Sequence, residues 1–490
     1  MISATTLLLS LTLLSAEESG RDLLRFKNGD VLHGTYLGLD EGPVALWKSN
    51  EAEDQIAFNT INLRKLLFNK GRAKKAITTT GLIELVNGDL IPGSISSLGS
   101  ESVTIQTDFA GLITLPRSQV VRLSPNPHGG PPIYVGPFSE EGWQILPSSS
   151  QENQTPDEEA ESKNKDWTFA SASWYSQSSR PLVLDTNLSD RVSIRFNLAW
   201  KNQLNCTVAF FADFKKPAPP EQDDAEDQAK PGILQPINLL DAGGRGSQAE
   251  TYGTAYILSL HPSYMRLHRS FFNKDGKPET TSFKTATGNF QLRDLFTADI
   301  EIRCDRIAGT VTLFANGNYC ADWADLTDPL ETGRRLAFAT NGGCRVRISD
   351  VVISNWNGMP DSARSMQTES SDVFLLSNGT DRISGQLLTL EEDIYRLETN
   401  YGEFMVPARD VQDIYLASDT QDEPSEPSKE SVLISLQPSG RLTFEPKSGF
   451  AGKLNGSHPI AGILNFNLEY AYLLEFDPES SIFDNWDEEF

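Results

Sequence analysis

The chain has 490 residues, 38% of them hydrophobic, and a formal net charge of −25. A chain of this length forms two or more domains rather than one core. The charge excludes a general nucleic-acid role, because binding a phosphate backbone rests on clustered Lys and Arg, and no stretch reaches the ~20 apolar residues of a membrane helix.

Residues 1–16, MISATTLLLSLTLLSA, read as a signal peptide with cleavage after Ala16, so the chain is expected to be exported to the periplasm, the cell surface or the medium. Internal repeats follow, over 21–70 and 80–125, and a third lies far downstream over 372–417. From Asn87 and from Asn378, glycines stand 24 residues on at Gly111 and Gly402, prolines 29 on at Pro116 and Pro407, and valines 33 on at Val120 and Val411. Chance does not easily hold such a register, so these are copies of one unit. Each reads as strand, Asn-Gly turn, strand, polar interval, alternating strand, glycine turn and a final strand near a proline. So many short strands bury a core only by curling into a small barrel or by pairing with a neighbour. A looser fourth unit runs over 431–477. Between the first two copies, Arg64, Lys65, Lys70, Arg72, Lys74 and Lys75 form the only basic run. It reads as a solvated linker drawn to the protein's own acidic surface.

The Pro- and Gly-rich stretch from Ser124 to Pro137 marks a domain boundary. A β-sandwich is expected over 138–358, interrupted by polar insertions near 151–166 and 215–250 that bury almost nothing and should be surface loops. Its clearest part begins at Ala298. Ile300, Ile302 and Cys304 alternate with Asp299, Glu301, Arg303 and Asp305, giving one buried and one wet face. Asn316-Gly317 and Asn341-Gly342 are turn pairs. Residues 478–490 form an acidic tail. The expected fold class is therefore all-β and multidomain, with an antiparallel sandwich embedded between small barrel repeats.

Several side chains are candidates for chemistry. Asp299, Glu301 and Asp305 share the wet face of one strand, and glycosidases use paired carboxylates, one to protonate and one to attack or stabilise the sugar cation. For sugar binding the candidates are Trp323, Asp322, Asp325 and Trp356, combining aromatic faces with hydroxyl-binding groups. Asp322, Asp325 and Asp328 could together supply carboxylate oxygens to calcium, the only cofactor indicated. The four cysteines, Cys206, Cys304, Cys320 and Cys344, allow two disulfides in an exported chain, or serve as small buried residues. The glycines of DAGGRGSQ have no clear strand before them or helix after them, so they make no phosphate cradle.

The succession VSIRFNLAW, CTVAFF, YILSL, ADIEIRCDRIAGTVTLFANGNYCADW and CRVRISDVVISNWNG resembles the concanavalin-like jelly roll of laminin-G-type and related glycan-active domains. Val311, Leu313, Asn316, Gly317, Ile348, Val351 and Trp356 carry the likeness, as core and turn positions. The repeats resemble small SH3-like or Sm-like barrels, and the whole arrangement resembles exported proteins of planctomycete and verrucomicrobial bacteria. These resemblances imply a non-enzymatic protein of glycan binding, adhesion or envelope assembly, with a glycan or an envelope protein as partner. Two alternatives stand beside it: a glycan-cleaving hydrolase or lyase, and a purely structural assembly module.

Overall fold

The computed structural model describes residues 22–40, 43–49, 51–79, 81–127, 132–146, 166–170, 172–176, 180–215, 247–284, 286–287, 291–293, 295–324, 333–341, 343–356, 371–377, 381–417, 428 and 430–476. The signal-like segment, most of both insertions, the acidic tail, Asp325 and Asp328 lie outside the described residues. What is described is almost entirely antiparallel β-structure.

The first repeat comprises strands Asp22–Phe26, Val31–Asp40, Val44–Lys48 and Ile56–Asn59, a 3-10 turn Thr60–Asn62, and a last strand Leu63–Leu67. The other three follow the same plan and end in Val120–Ser124, Val411–Tyr415 and Ala471–Glu475. Their turns are equivalent bond for bond. The N–H groups of Phe26, Leu85, Leu376 and Leu436 donate to the carbonyls of Asp30, Asp89, Asp381 and Gly440. Those of Lys27, Val86, Ser377 and Gln437 donate to Asn62, Gln119, Asp410 and Tyr470, inside or at the end of the 3-10 turn. The fourth unit, loosest in sequence, is thus the same structure. In the first three units a glycine of the second strand, Gly34, Gly93 or Gly385, sits where a Cβ would strike the carbonyl of Lys48, Gln106 or Glu398 on the third strand. In the fourth, Gly449 of the second strand faces the Lys453 carbonyl, and Gly456 of the third strand faces that of Glu445.

These units do not bury separate cores, because one cluster draws on all four, from Leu24 and Ile83 to Phe374 and Phe444. They pair in a nested order. The last strands of repeats one and four run antiparallel, with Leu67 opposite Leu473 and Leu66 opposite Leu474. Those of repeats two and three do the same, Leu123 opposite Ile414. Second strands touch within each pair, Leu39 beside Gly449 and Leu98 beside Leu390. The two pairs meet where the Phe109 and Phe466 rings pack 4.9 Å apart and His458 reaches Asp89 at 2.9 Å. His458 Nδ1 accepts from the Ile460 and Ala461 N–H groups, so Nε2 carries the proton and donates to the carboxylate.

The sandwich stands between repeats two and three. One sheet runs through Ser173–Ser176, Arg345–Asn355, Arg191–Lys201, Thr297–Asp305, Thr310–Ala315 and Asn318–Trp323. The facing sheet runs through Trp143–Ile145, Leu182–Leu184, Arg335–Thr340, Cys206–Ala212, Ala255–Leu260, Met265–Phe272 and Pro278–Ser282. Trp174, Phe196, Trp200, Phe210, Trp323 and Phe338 fill the space between. The hairpin at Asn316-Gly317 has both residues at positive φ, +49° and +74°, as a tight two-residue turn requires. A short helix, Ser247–Tyr252, follows the DAGGRGSQ glycines, where a loop was expected. Among the described residues no helix is long and apolar enough to cross a membrane.

The basic run settles against the protein itself: Lys75 pairs with Glu469 at 2.6 Å, Lys65 lies opposite Glu475, and Arg72 donates to the Phe138 carbonyl. The cysteines are buried free thiols rather than disulfides. Three lie in strands and Cys344 in the turn before one, and all four face the sandwich core, where burial pushes their thiols up.

Candidate functional site

The pairing of strands Arg191–Lys201 and Thr297–Asp305 places Asn197 opposite Asp299, Arg195 opposite Glu301, Ser193 opposite Arg303 and Arg191 opposite Asp305. The face is therefore a lattice of ion pairs. Glu301 accepts from Ser193 Oγ at 2.9 Å and Arg303 Nε at 2.8 Å, with Arg195 Nε at 3.4 Å. Burial alone would raise its carboxyl, but the two guanidiniums and these hydrogen bonds outweigh that and hold it at about 2. A carboxyl so held cannot protonate a leaving group. Asp305 is buried and accepts from Arg191 and from the N–H groups of Ile307 and Ala308, which makes it the anchor of a turn. Asp299 is exposed and takes a hydrogen bond from Asn197 Nδ2. Two of the three carboxylates proposed for catalysis are thus committed to the fold.

The sugar-binding candidates are redistributed as well. Trp323 is 1% exposed and pairs with Val311 on the core side, so it offers no face to a sugar. Its neighbour Tyr319, 47% exposed, presents the ring instead, and its hydroxyl donates to Asp322. Trp356 is half-buried, with its backbone N–H donating to the Arg191 carbonyl. Among the described residues no group of three His, Cys, Asp or Glu side chains could hold a metal, and Asp325 and Asp328 lie outside them.

The structure assembles a different site at one rim of the sandwich. Leu184 lies opposite Leu336 and Ala212 opposite Arg335, so the segments that leave these three strands converge. Between them opens a cleft of about 720 Å³, lined in part by Asp185, Asn187, Asp213, Phe214, Lys215, Arg334 and Arg335. That volume falls in the ~300–1,000 Å³ range of small-molecule sites. Phe211 and Phe214 both hold φ of +54°, a conformation costly for side chains of this size and maintained only where the surroundings enforce it. Here the enforcement is visible. Asp213 Oδ1 accepts from the Lys215 and Thr254 N–H groups, and Phe214 packs against Tyr252 at 6.3 Å. Arg335 Nε donates to Asp185 at 3.0 Å while its guanidinium lies 6.0 Å from the Phe214 ring centre. Arg334 is spent on the Leu188 carbonyl and Asp190. None of these residues was a candidate from sequence. The charged loop at Asp185 and the Arg334-Arg335 pair were visible there, but only the strand register joins them.

No protein-family model and no curated protein sequence matches this chain. Among solved structures, a carbohydrate-binding module from Bacillus subtilis is similar at 6% identity, with 44% of this chain and 96% of that one covered and a TM-score of 0.25. A Bacillus subtilis protein of galectin-like fold is similar at 13% identity, covering 46% and 96%, with a TM-score of 0.26. A Bacillus licheniformis β-glucanase is similar at 8% identity, covering 46% and 97%, also with a TM-score of 0.26.

Proposed function

We propose that this chain binds glycans without cleaving them, through the rim cleft of its sandwich, as an exported surface or periplasmic protein of adhesion or envelope assembly. The observation that carries the reading is the cleft itself: an aromatic ring beside a guanidinium and an amide, at the scale of a short oligosaccharide. The state of Glu301 supports binding over hydrolysis, since the wet face of its strand supplies an ionised, fully engaged carboxylate where a general acid is needed. The platform of repeats would then present the sandwich away from the surface that anchors it. A glycan array probed with the full chain tests this, using Phe214→Ala as the control. Saturable binding that falls at least about tenfold in the variant is expected, in line with loss of a stacking face. A folded chain that binds no glycan, or a variant that binds undiminished, would overturn it.

A further inference from the structure

We infer that the rim cleft takes a sugar bearing a carboxylate, a hexuronate, rather than an uncharged one; this rests on the glycan reading and sharpens it. The argument is one of hydrogen-bond polarity. Each carboxylate of the cleft is engaged through one oxygen, Asp185 by Arg335 Nε and Asp213 by two backbone N–H groups. The donors have more left over. Arg335 is 45% exposed and uses only Nε on Asp185, which leaves its two terminal NH2 groups for a ligand. Among the described residues nothing pairs with the Lys215 ammonium or the Asn187 amide. The cleft therefore holds more open donors than open acceptors.

Charge points the same way. Arg334 is paired with Asp190 and Arg335 with Asp185, which leaves the Lys215 ammonium and the outer edge of Arg335 as the open cationic groups of the cleft, in a chain whose net charge is −25. An anion would settle against these two, with affinity that falls as salt rises. Geometry selects among anions. Arg335 is steadied by Asp185 on one side and by the Phe214 ring, and a guanidinium held this way presents parallel N–H groups that match a planar carboxylate. Phe214 stands beside it to take the apolar face of the sugar ring.

The test is calorimetry on the full chain with galacturonate, glucuronate and mannuronate trisaccharides, the methyl esters of the same three, neutral galactotriose and a sulfated galactotriose. At least one uronate should bind tenfold or more tightly than its own ester, and the gap should narrow as NaCl rises from 0.05 to 0.5 M. Arg335→Lys should erase most of the preference for acid over ester, and Lys215→Ala should weaken the acid several-fold, both with unchanged thermal midpoints. Equal binding of acid and ester, binding of the neutral or sulfated sugar alone, or binding of none of the uronates would each overturn the inference. The glycan array then separates the two claims: hits confined to uncharged sugars leave glycan binding standing, and no hits remove both.

Discussion

The platform of repeats and the sandwich are both antiparallel β-structures of short strands, yet they solve the problem of a unique structure by opposite means. The sandwich relies on one large apolar core between two sheets, with a lattice of ion pairs on the outer face of one of them. The platform has thin repeats that cannot enclose enough on their own, so they share a core and fix its register with single polar joints between distant segments. Asp89 accepts from His458, from Thr443 N–H and Oγ1, and from Asn87. Asp372 accepts from Leu387, Ala417 and Arg117. The contrast teaches that repetition needs labels: four similar repeats could pair in several ways, and buried polar joints between unlike partners select one.

The comparison can be broken first in the sandwich. Phe338 is fully buried, 5.0 Å from Phe196 and 6.2 Å from Trp143, and Phe338→Ala should cost about 4 kcal/mol in urea unfolding, as large aromatic truncations do. A loss under 1 kcal/mol would show that the sandwich is not one cooperative core. Acid gives the next effect. Because Glu301 is held at about 2 against an ordinary 4.5, its contribution is present above pH 4.5 and is lost as pH falls toward 2. The shift corresponds to roughly 3 kcal/mol, and a Glu301→Gln chain should lack that part of the decline. Parallel pH profiles for the two chains would refute the ion lattice as its source.

In the platform, His458→Ala strips Asp89 of its imidazole partner and frees the Ile460 and Ala461 N–H groups, at an expected cost of about 2 kcal/mol. The sharper expectation is specificity: amide exchange should quicken in the second and fourth repeats and stay unchanged in the sandwich. Smallest of all is Lys75→Ala. Its pair with Glu469 lies in solvent, so no measurable change in the urea midpoint is expected, and a clear shift would give the basic linker a structural part it lacks here.

Much of this architecture was readable in the residues. Gly111 and Gly402 open the fourth strands of their repeats at φ of +74° and +129°, Pro116 and Pro407 precede the 3-10 turns, and Val120 and Val411 begin the last strands. Those positions repeat because backbone geometry demands them, so their spacing survives when side chains drift. The alternation at Ile300, Ile302 and Cys304 gave the core side correctly for the same reason. Trp323 misled because it follows a turn and stands among acids, yet it continues the core side of a strand that runs to its end. The cleft escaped notice because its members, Asp185, Phe214 and Arg335, belong to segments that only strand pairing brings together. No local pattern records a register between residues more than a hundred positions apart.

Nested pairing also sets a timetable. The edge at Leu63–Leu67 is among the first made, and its partner Ala471–Glu475 is among the last, so the opening repeat must wait through synthesis of nearly everything else with one flank bare. Contacts of such sequence separation slow folding and expose unpaired strands meanwhile. Once closed, the seam joins the first and last repeats, and the Phe476 backbone N–H donates to the Arg64 carbonyl beside the first strand. The first and fourth repeats are thus clasped by two strand contacts and a common core, a buckle that can close only when the last repeat has been made.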